Sequence, residues 1–125
     1  DEIGLEGNKD PDCRKTMKWN ESDQDQVILE ANRTLAKLRH DHEALQTGSY
    51  YELYAGDEIF GFVRSSQTEQ FLVCINMSSD SRCIRLSGDW ENGWEPVYAV
   101  GAGLVGLHCP ELPSLGVRIF KRDRR

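Results

Sequence analysis

The 125-residue sequence has no long apolar run, no CxxC pair, only three histidines and no excess of basic residues. Each scarcity excludes a class of function. A membrane-spanning helix needs about 20 predominantly apolar residues in succession. The apolar runs here are a few residues long, so no membrane partner is expected. A zinc site needs thiolates or imidazoles at short spacing. Cys13, Cys74, Cys83 and Cys109 are scattered, as are His40, His42 and His108, so neither metal nor cofactor is expected. Lys and Arg number 15 against 21 Asp and Glu, a net charge of −6, and the pI is near 5.0. That balance opposes nucleic acid or anionic lipid as a bulk electrostatic partner. The length is also too small for a (β/α)₈ barrel, which takes roughly 250 residues. The given sequence shows no basic-then-apolar stretch of the kind that marks a signal peptide, and a cytoplasmic location is expected.

What is present is globular: 38% hydrophobic and 29% charged, enough for one modest core. Residues 1–20 hold Gly4, Gly7, Asn8, Asp10 and Pro11 without a sustained period and read as a loop. Residues 22–45 read as a helix. Ser22 followed by Asp25 resembles a capping box. Val27, Ile28, Ala31, Leu35, Leu38 and Leu45 make one apolar stripe, and Gly48 is a stop signal. From residue 50 the pattern is of strands: 50–54, 58–64, 70–77, 82–86, 95–98, 104–108 and 117–121. Ala55-Gly56-Asp57, Ser78-Ser79-Asp80, Asn92-Gly93, Gly101-Ala102-Gly103 and Pro110 to Pro113 punctuate them as turns. No helical pattern intervenes, so the expected fold is mainly β. It is an antiparallel, Greek-key-like β-sandwich of about seven strands with one N-terminal α-helix. Cys74 and Cys83 fall in strand patterns and read as buried, reduced thiols; a bridge between them would require export. The charged tail Lys121 to Arg125 reads as frayed. The sequons at Asn20, Asn32 and Asn76 fall at or in a helix and at a strand end.

Candidate chemistry is sparse. Asp10 with Asp12, Asp23 with Asp25 and Asp41 with Glu43 are carboxylate pairs. No adjacent apolar run would desolvate a member, as glycoside hydrolysis requires. No G-x-S-x-G and no phosphate-cradling loop is present. In a strand, His108 and Cys109 would point to opposite faces, so they form no dyad. No catalytic residue is therefore assigned. Two features could hold a sugar. Trp90 and Trp94 flank the Glu91-Asn92-Gly93 turn and offer flat aromatic faces, though capping the sandwich core is the simpler role. Asp10 and Arg14 place a carboxylate and a guanidinium on one loop, able to hydrogen-bond vicinal hydroxyls or simply each other.

Asp1-Glu2-Ile3-Gly4-Leu5 and Asp10-Pro11-Asp12-Cys13-Arg14-Lys15-Thr16-Met17-Lys18-Trp19 resemble the end of the catalytic barrel in the α-amylase family of glycoside hydrolases. The likeness is to its neopullulanase, cyclomaltodextrinase and maltogenic amylase branch. Leu38-Arg39 with His42, Ala44 and Leu45 resembles that barrel's last helix. The stretches 59–64, 72–76 and 115–120 resemble strands of its C-terminal β-sandwich. Thr16 stands where the family usually has Pro. The resemblance implies a remnant of the barrel over 1–46 and a C-terminal sandwich domain over 47–125. It implies an accessory role in an enzyme acting on an α-glucan or maltooligosaccharide, with the barrel packed on the helix. The family's catalytic Asp, Glu and second Asp correspond to no position here, so the chain alone is expected to be inert. Asp10 and Arg14 match family positions that contact sugar on the non-reducing side of the cleavage point, in the context of the whole barrel. Alternatives are a carbohydrate-binding module using Trp90 and Trp94, and a homodimerisation domain using the helix.

Overall fold

The computed structural model describes residues 1–85, 93–101 and 111–124. Two compact units result, Asp1–His42 and Glu43–Arg125.

The first unit is an N-terminal loop, a 3₁₀ turn at Glu21–Asp23 and helix α1, Gln26–Asp41. Asp25 is the N-cap, its carboxylate accepting from the amides of Val27 and Ile28 at 2.9 and 3.0 Å. This satisfies two of the orphan donors at the helix start. Ser22 is therefore not the cap; it lies inside the 3₁₀ turn, which consumes the residues that the capping-box pattern assigned to the helix. Gly4 has φ +67, and a Cβ there would lie 2.8 Å from that of Asp25. Only glycine fits this approach, and the Ile3 carbonyl accepts from the Asp25 amide alongside it. Helix α1 buries none of its residues: Val27 is 80% exposed, Ile28 and Leu35 39%.

The second unit begins with α2, Glu43–Gln46. His42, in extended conformation, separates it from α1, so the expected single helix is two. Five strands form an antiparallel sheet in the order β1-β2-β3-β7-β5: Ser49–Ala55, Ile59–Ser65, Glu69–Asn76, Val117–Asp123 and Glu95–Val100. A ribbon of two short strands, β4 (Arg82–Cys83) and β6 (Glu111–Leu112), completes the sandwich. The fold is mainly β and antiparallel, as the turn spacing predicts.

Register explains the core. Val63 pairs with Leu72 and Leu72 with Phe120; Gly61 pairs with Cys74 and Cys74 with Arg118. Period-2 alternation puts these on one face. Val63, Leu72, Cys74, Trp94 and Phe120 cluster there with Ile84 and Leu112 from the ribbon segments. Each such side chain contributes about 1.5–3 kcal/mol when removed from water.

Several expectations are corrected. The strand expected over 82–86 pairs only at Arg82 and Cys83. Glu111–Leu112, expected as turn between prolines, is its partner because Leu112 is drawn fully into the core. Cys83 is disulfide-bonded and exposed, and Cys74, a free buried thiol, is not its partner. Lys121 to Arg124 are not frayed. Strand β7 continues to Asp123, and the Arg124 amide donates to the Thr68 carbonyl at 2.8 Å. The strand expected over 104–108 and the His108–Cys109 pair lie outside the described residues.

Candidate functional site

The Asp10–Arg14 loop is built from successive turns. The Asp12 amide donates to the Lys9 carbonyl and the Arg14 amide to the Pro11 carbonyl, around a cis Asp10–Pro11 bond. This folding brings Arg14 Nε to 2.9 Å from Asp10 Oδ1, with the two side chains 76% and 61% exposed. So exposed a pair adds little stability. Its chemical content is a carboxylate that accepts and a guanidinium that donates, both open to solvent.

Asp12 does the structural work beside them. Its carboxylate accepts from the Asn8 amide at 2.9 Å and lies 3.2 Å from Lys15 Nζ, which also donates to the Glu6 carbonyl. The Asn8 amide first, then Lys15, lowers the Asp12 pKa. An open hollow of about 520 Å³ is lined by Leu5, Glu6, Gly7, Asn8, Asp12 and Lys15.

The other carboxylates lie in surface and capping positions. Asp25 caps α1. Asp41 accepts from Lys37 and contacts His40, and Lys37 before His40 lowers its pKa. Among the described residues no cluster of three or more His, Cys, Asp or Glu could hold a metal ion.

Of the two tryptophans, Trp94 is 2% exposed and belongs to the core cluster. It follows Gly93 at φ +83. The Arg122 guanidinium carbon sits 4.5 Å from its ring centroid, a cation–π contact, and Arg122 Nε donates to Gln70 Oε1 at 2.7 Å. The Trp94 ring, which the sequence offered to a sugar or, more simply, to the sandwich core, lies in the core cluster against Arg122. Trp90 lies outside the described residues.

Two polar residues escaped the sequence reading. Asn76, 1% exposed, donates through Nδ2 towards the carbonyls of Asp80, Leu112 and Pro113 and accepts from the Ser78 amide and hydroxyl. Arg118, also 1% exposed, donates to the carbonyls of Val100, Val117 and Gly101. The only signal for either was a polar residue on the core-facing period of a strand.

No family model matches the chain. Among curated proteins, the cyclomaltodextrinase of Thermoanaerobacter pseudethanolicus is 37% identical over 87 residues, 70% of this chain and 15% of that protein. The cyclomaltodextrinase of Geobacillus thermopakistaniensis is 32% identical over 125 residues, 96% of this chain and 21% of that protein. Neopullulanase 2 of Thermoactinomyces vulgaris is 33% identical over 88 residues, covering 69% of this chain and 15% of that protein. The chain thus spans about a fifth or less of the length of these relatives. Among solved structures, the ligand-free cyclic α-maltosyl-(1→6)-maltose hydrolase of Arthrobacter globiformis shares the fold at a TM-score of 0.76 and 22% identity. That likeness covers 98% of this chain and 25% of the other.

Proposed function

From a chain that matches a portion of the α-amylase family of glycoside hydrolases, of cyclomaltodextrinase, neopullulanase and maltogenic amylase type, we propose the C-terminal accessory part of an α-glucan-acting enzyme. The observation that carries this reading is the match to a cyclomaltodextrinase, which takes in 96% of this chain yet only 21% of the relative.

In this reading residues 1–46 complete a catalytic barrel and residues 47–125 form a sandwich that stabilises it. The exposed apolar positions Val27, Ile28 and Leu35 of α1 support it, because large apolar side chains left open on one helix call for a cover. The barrel packs on that stripe. Asp10 and Arg14 then face an α-glucan or maltooligosaccharide. Asp10 accepts from a sugar hydroxyl and Arg14 donates to one, orienting the ring without taking part in bond cleavage. The nucleophile and the acid/base come from outside this segment, so the segment alone turns over no substrate.

Reducing-sugar release from β-cyclodextrin, pullulan and maltotriose tests this. The pure 125-residue chain is expected to release none, and turnover by it refutes the accessory reading. In an enzyme carrying the segment, Asp10→Ala or Arg14→Ala should lower kcat/KM by roughly tenfold to a hundredfold, the cost of a lost hydrogen bond to a charged group. Unchanged kinetics in both variants would remove Asp10 and Arg14 from the site.

A further inference from the structure

We propose that a polar hollow where α2 joins β1 is a saccharide-binding site, one that takes a glucosyl unit of a neutral α-glucan. That the sugar is an α-glucan rests on the accessory reading above; that the hollow holds a sugar rests on its own geometry and chemistry.

The hollow measures about 470 Å³ and is lined by the join from α2 to β1, the turn from β2 to β3, and Arg124. All of it lies in the second unit, and it shares no residue with the Asp10–Arg14 loop. Hydrogen bonds fix its walls. Ser49 pairs with Ser65 in the sheet, and Ser49 Oγ donates to the Ser65 carbonyl at 3.2 Å. Arg64 Nη2 donates to the Gly48 carbonyl at 2.9 Å, which anchors the join against β2. The turn is closed by the Ser66 amide, which donates to the Glu69 carbonyl at 2.9 Å. Ser66 Oγ in turn accepts from the amides of Thr68 and Glu69 at 3.3 and 3.2 Å. The Arg124 amide, bonded to the Thr68 carbonyl, sets the third wall beside the turn. Walls held in this way are formed before a ligand arrives, so binding has little backbone left to order.

The side chains select the ligand. Glu43 supplies a carboxylate that accepts, and Arg124 a guanidinium that donates. The Thr47 and Thr68 hydroxyls and the Gln67 amide can each do both. These five residues are exposed. Arg124 engages Nη1, with the Ser66 carbonyl at 3.0 Å and Ser65 Oγ at 3.4 Å; its Nε and Nη2 carry further donors into the hollow's reach. One carboxylate balances one guanidinium, so no surplus charge draws an anion, and the net charge of −6 on the chain opposes one. Mixed donors and acceptors around a neutral hollow match groups that donate and accept in turn, as the hydroxyls of a sugar ring do. The lining is polar and open to water, unlike the apolar, enclosed pockets that bind small molecules tightly. The affinity is therefore expected to be millimolar, a grip on one unit of a longer glucan.

The test titrates the ¹⁵N-labelled 125-residue chain with maltotriose, with cellotriose and with inorganic phosphate, and follows the backbone amides by NMR. Maltotriose is expected to give saturable shifts at Thr47, Gly48, Gln67, Thr68 and Arg124. Arg124→Ala should raise its dissociation constant about tenfold, and Gln67→Ala about threefold or more, as lost hydrogen bonds to a charged and to a neutral group do. Both side chains are exposed, so the amides of the core strands should keep their positions in each variant. Saturable shifts with phosphate alone would make the hollow an anion site and overturn the proposal. So would the absence of saturable shifts with either sugar, or an affinity for maltotriose unchanged in both variants. Shifts with cellotriose and none with maltotriose would overturn the α-glucan assignment, and with it the ground taken from the accessory reading, while the saccharide site itself stood. An unresponsive hollow would leave the accessory reading to its own test, the turnover assay.

Discussion

Asn76 shows how much a single buried amide can hold. One side chain satisfies acceptors on the 76–80 turn and on the Leu112–Pro113 backbone, and its oxygen takes both Ser78 donors. Asn76→Ala strands those carbonyls and the Ser78 groups in a site that is 1% exposed. A loss of about 1–3 kcal/mol is expected, read as a lower urea midpoint at unchanged slope. A shift under about half a kcal/mol would show that water replaces the amide freely. Cys74 carries a second consequence at this scale. Burial pushes its pKa from 9.0 up to about 12, because the thiolate is poorly solvated in the core. The folded state therefore keeps a proton that the unfolded state gives up above pH 9.0. The stabilisation is complete below the unfolded value and is lost as pH rises from about 9 towards 12. Subtracting the stability curve of Cys74→Val from that of wild type isolates this slope. Parallel curves across that interval would contradict it.

At the scale of the element, Gly48 joins α2 to β1. A Cβ there would sit 2.4 Å from the Ala44 carbonyl oxygen and 2.7 Å from that of Ser65, both backbone atoms that cannot swing away. Gly48→Ala is expected to cost about 1–3 kcal/mol, as overpacking does, seen as a lowered Tm. A neutral result would mean that the join relaxes. The sequence marked Gly48 as a helix stop, and it is one, but beside the local Ala44 backbone the close crossing of β2 at Ser65 also excludes a side chain, which no local pattern carries. The same division runs through the molecule. Strands β2 and β3 were legible because Ile59–Val63 and Phe71–Ile75 are rich in β-branched and aromatic residues. Ribbon strand β6 was not, because two residues between prolines have no period, and only the core beneath Leu112 makes them a strand. Helix α1 was legible from its stripe, yet its start moved from Ser22 to Asp25, since the 3₁₀ turn over Glu21–Asp23 takes up Ser22 and leaves Asp25 to accept from the first free amides. The site was legible in part. Asp10 and Arg14 stood out as a carboxylate and a guanidinium on one loop, and they do pair with each other, the plainer of the two readings their residues allowed. Trp94 was visible as an aromatic beside a turn, but whether a ring faces solvent or core depends on the register of β5 against β7.

For the molecule as a whole, what decides behaviour in solution is the apolar stripe of α1. Val27, Ile28 and Leu35 are 80%, 39% and 39% exposed and no residue of the helix is buried. A few hundred Å² of uncovered apolar surface, at roughly 25 cal/mol per Å², favours association by several kcal/mol before the entropic cost of joining two bodies. The net charge of −6 opposes association but is screened within about 8–10 Å at physiological salt, shorter than a helix of 16 residues. The 125-residue chain is therefore expected to self-associate as concentration rises, and more so in added salt. Leu35→Asp puts a charge in the middle of the stripe without touching the second unit's core cluster, so it should return light scattering to the monomer value while leaving the β-sheet spectrum unchanged. A wild-type chain that stays monomeric at all concentrations, or a Leu35→Asp variant that associates equally, would show that the stripe drives no association. In the first case, solvent would suffice as its cover, and the apolar ground for a barrel packed on α1 would fall with it.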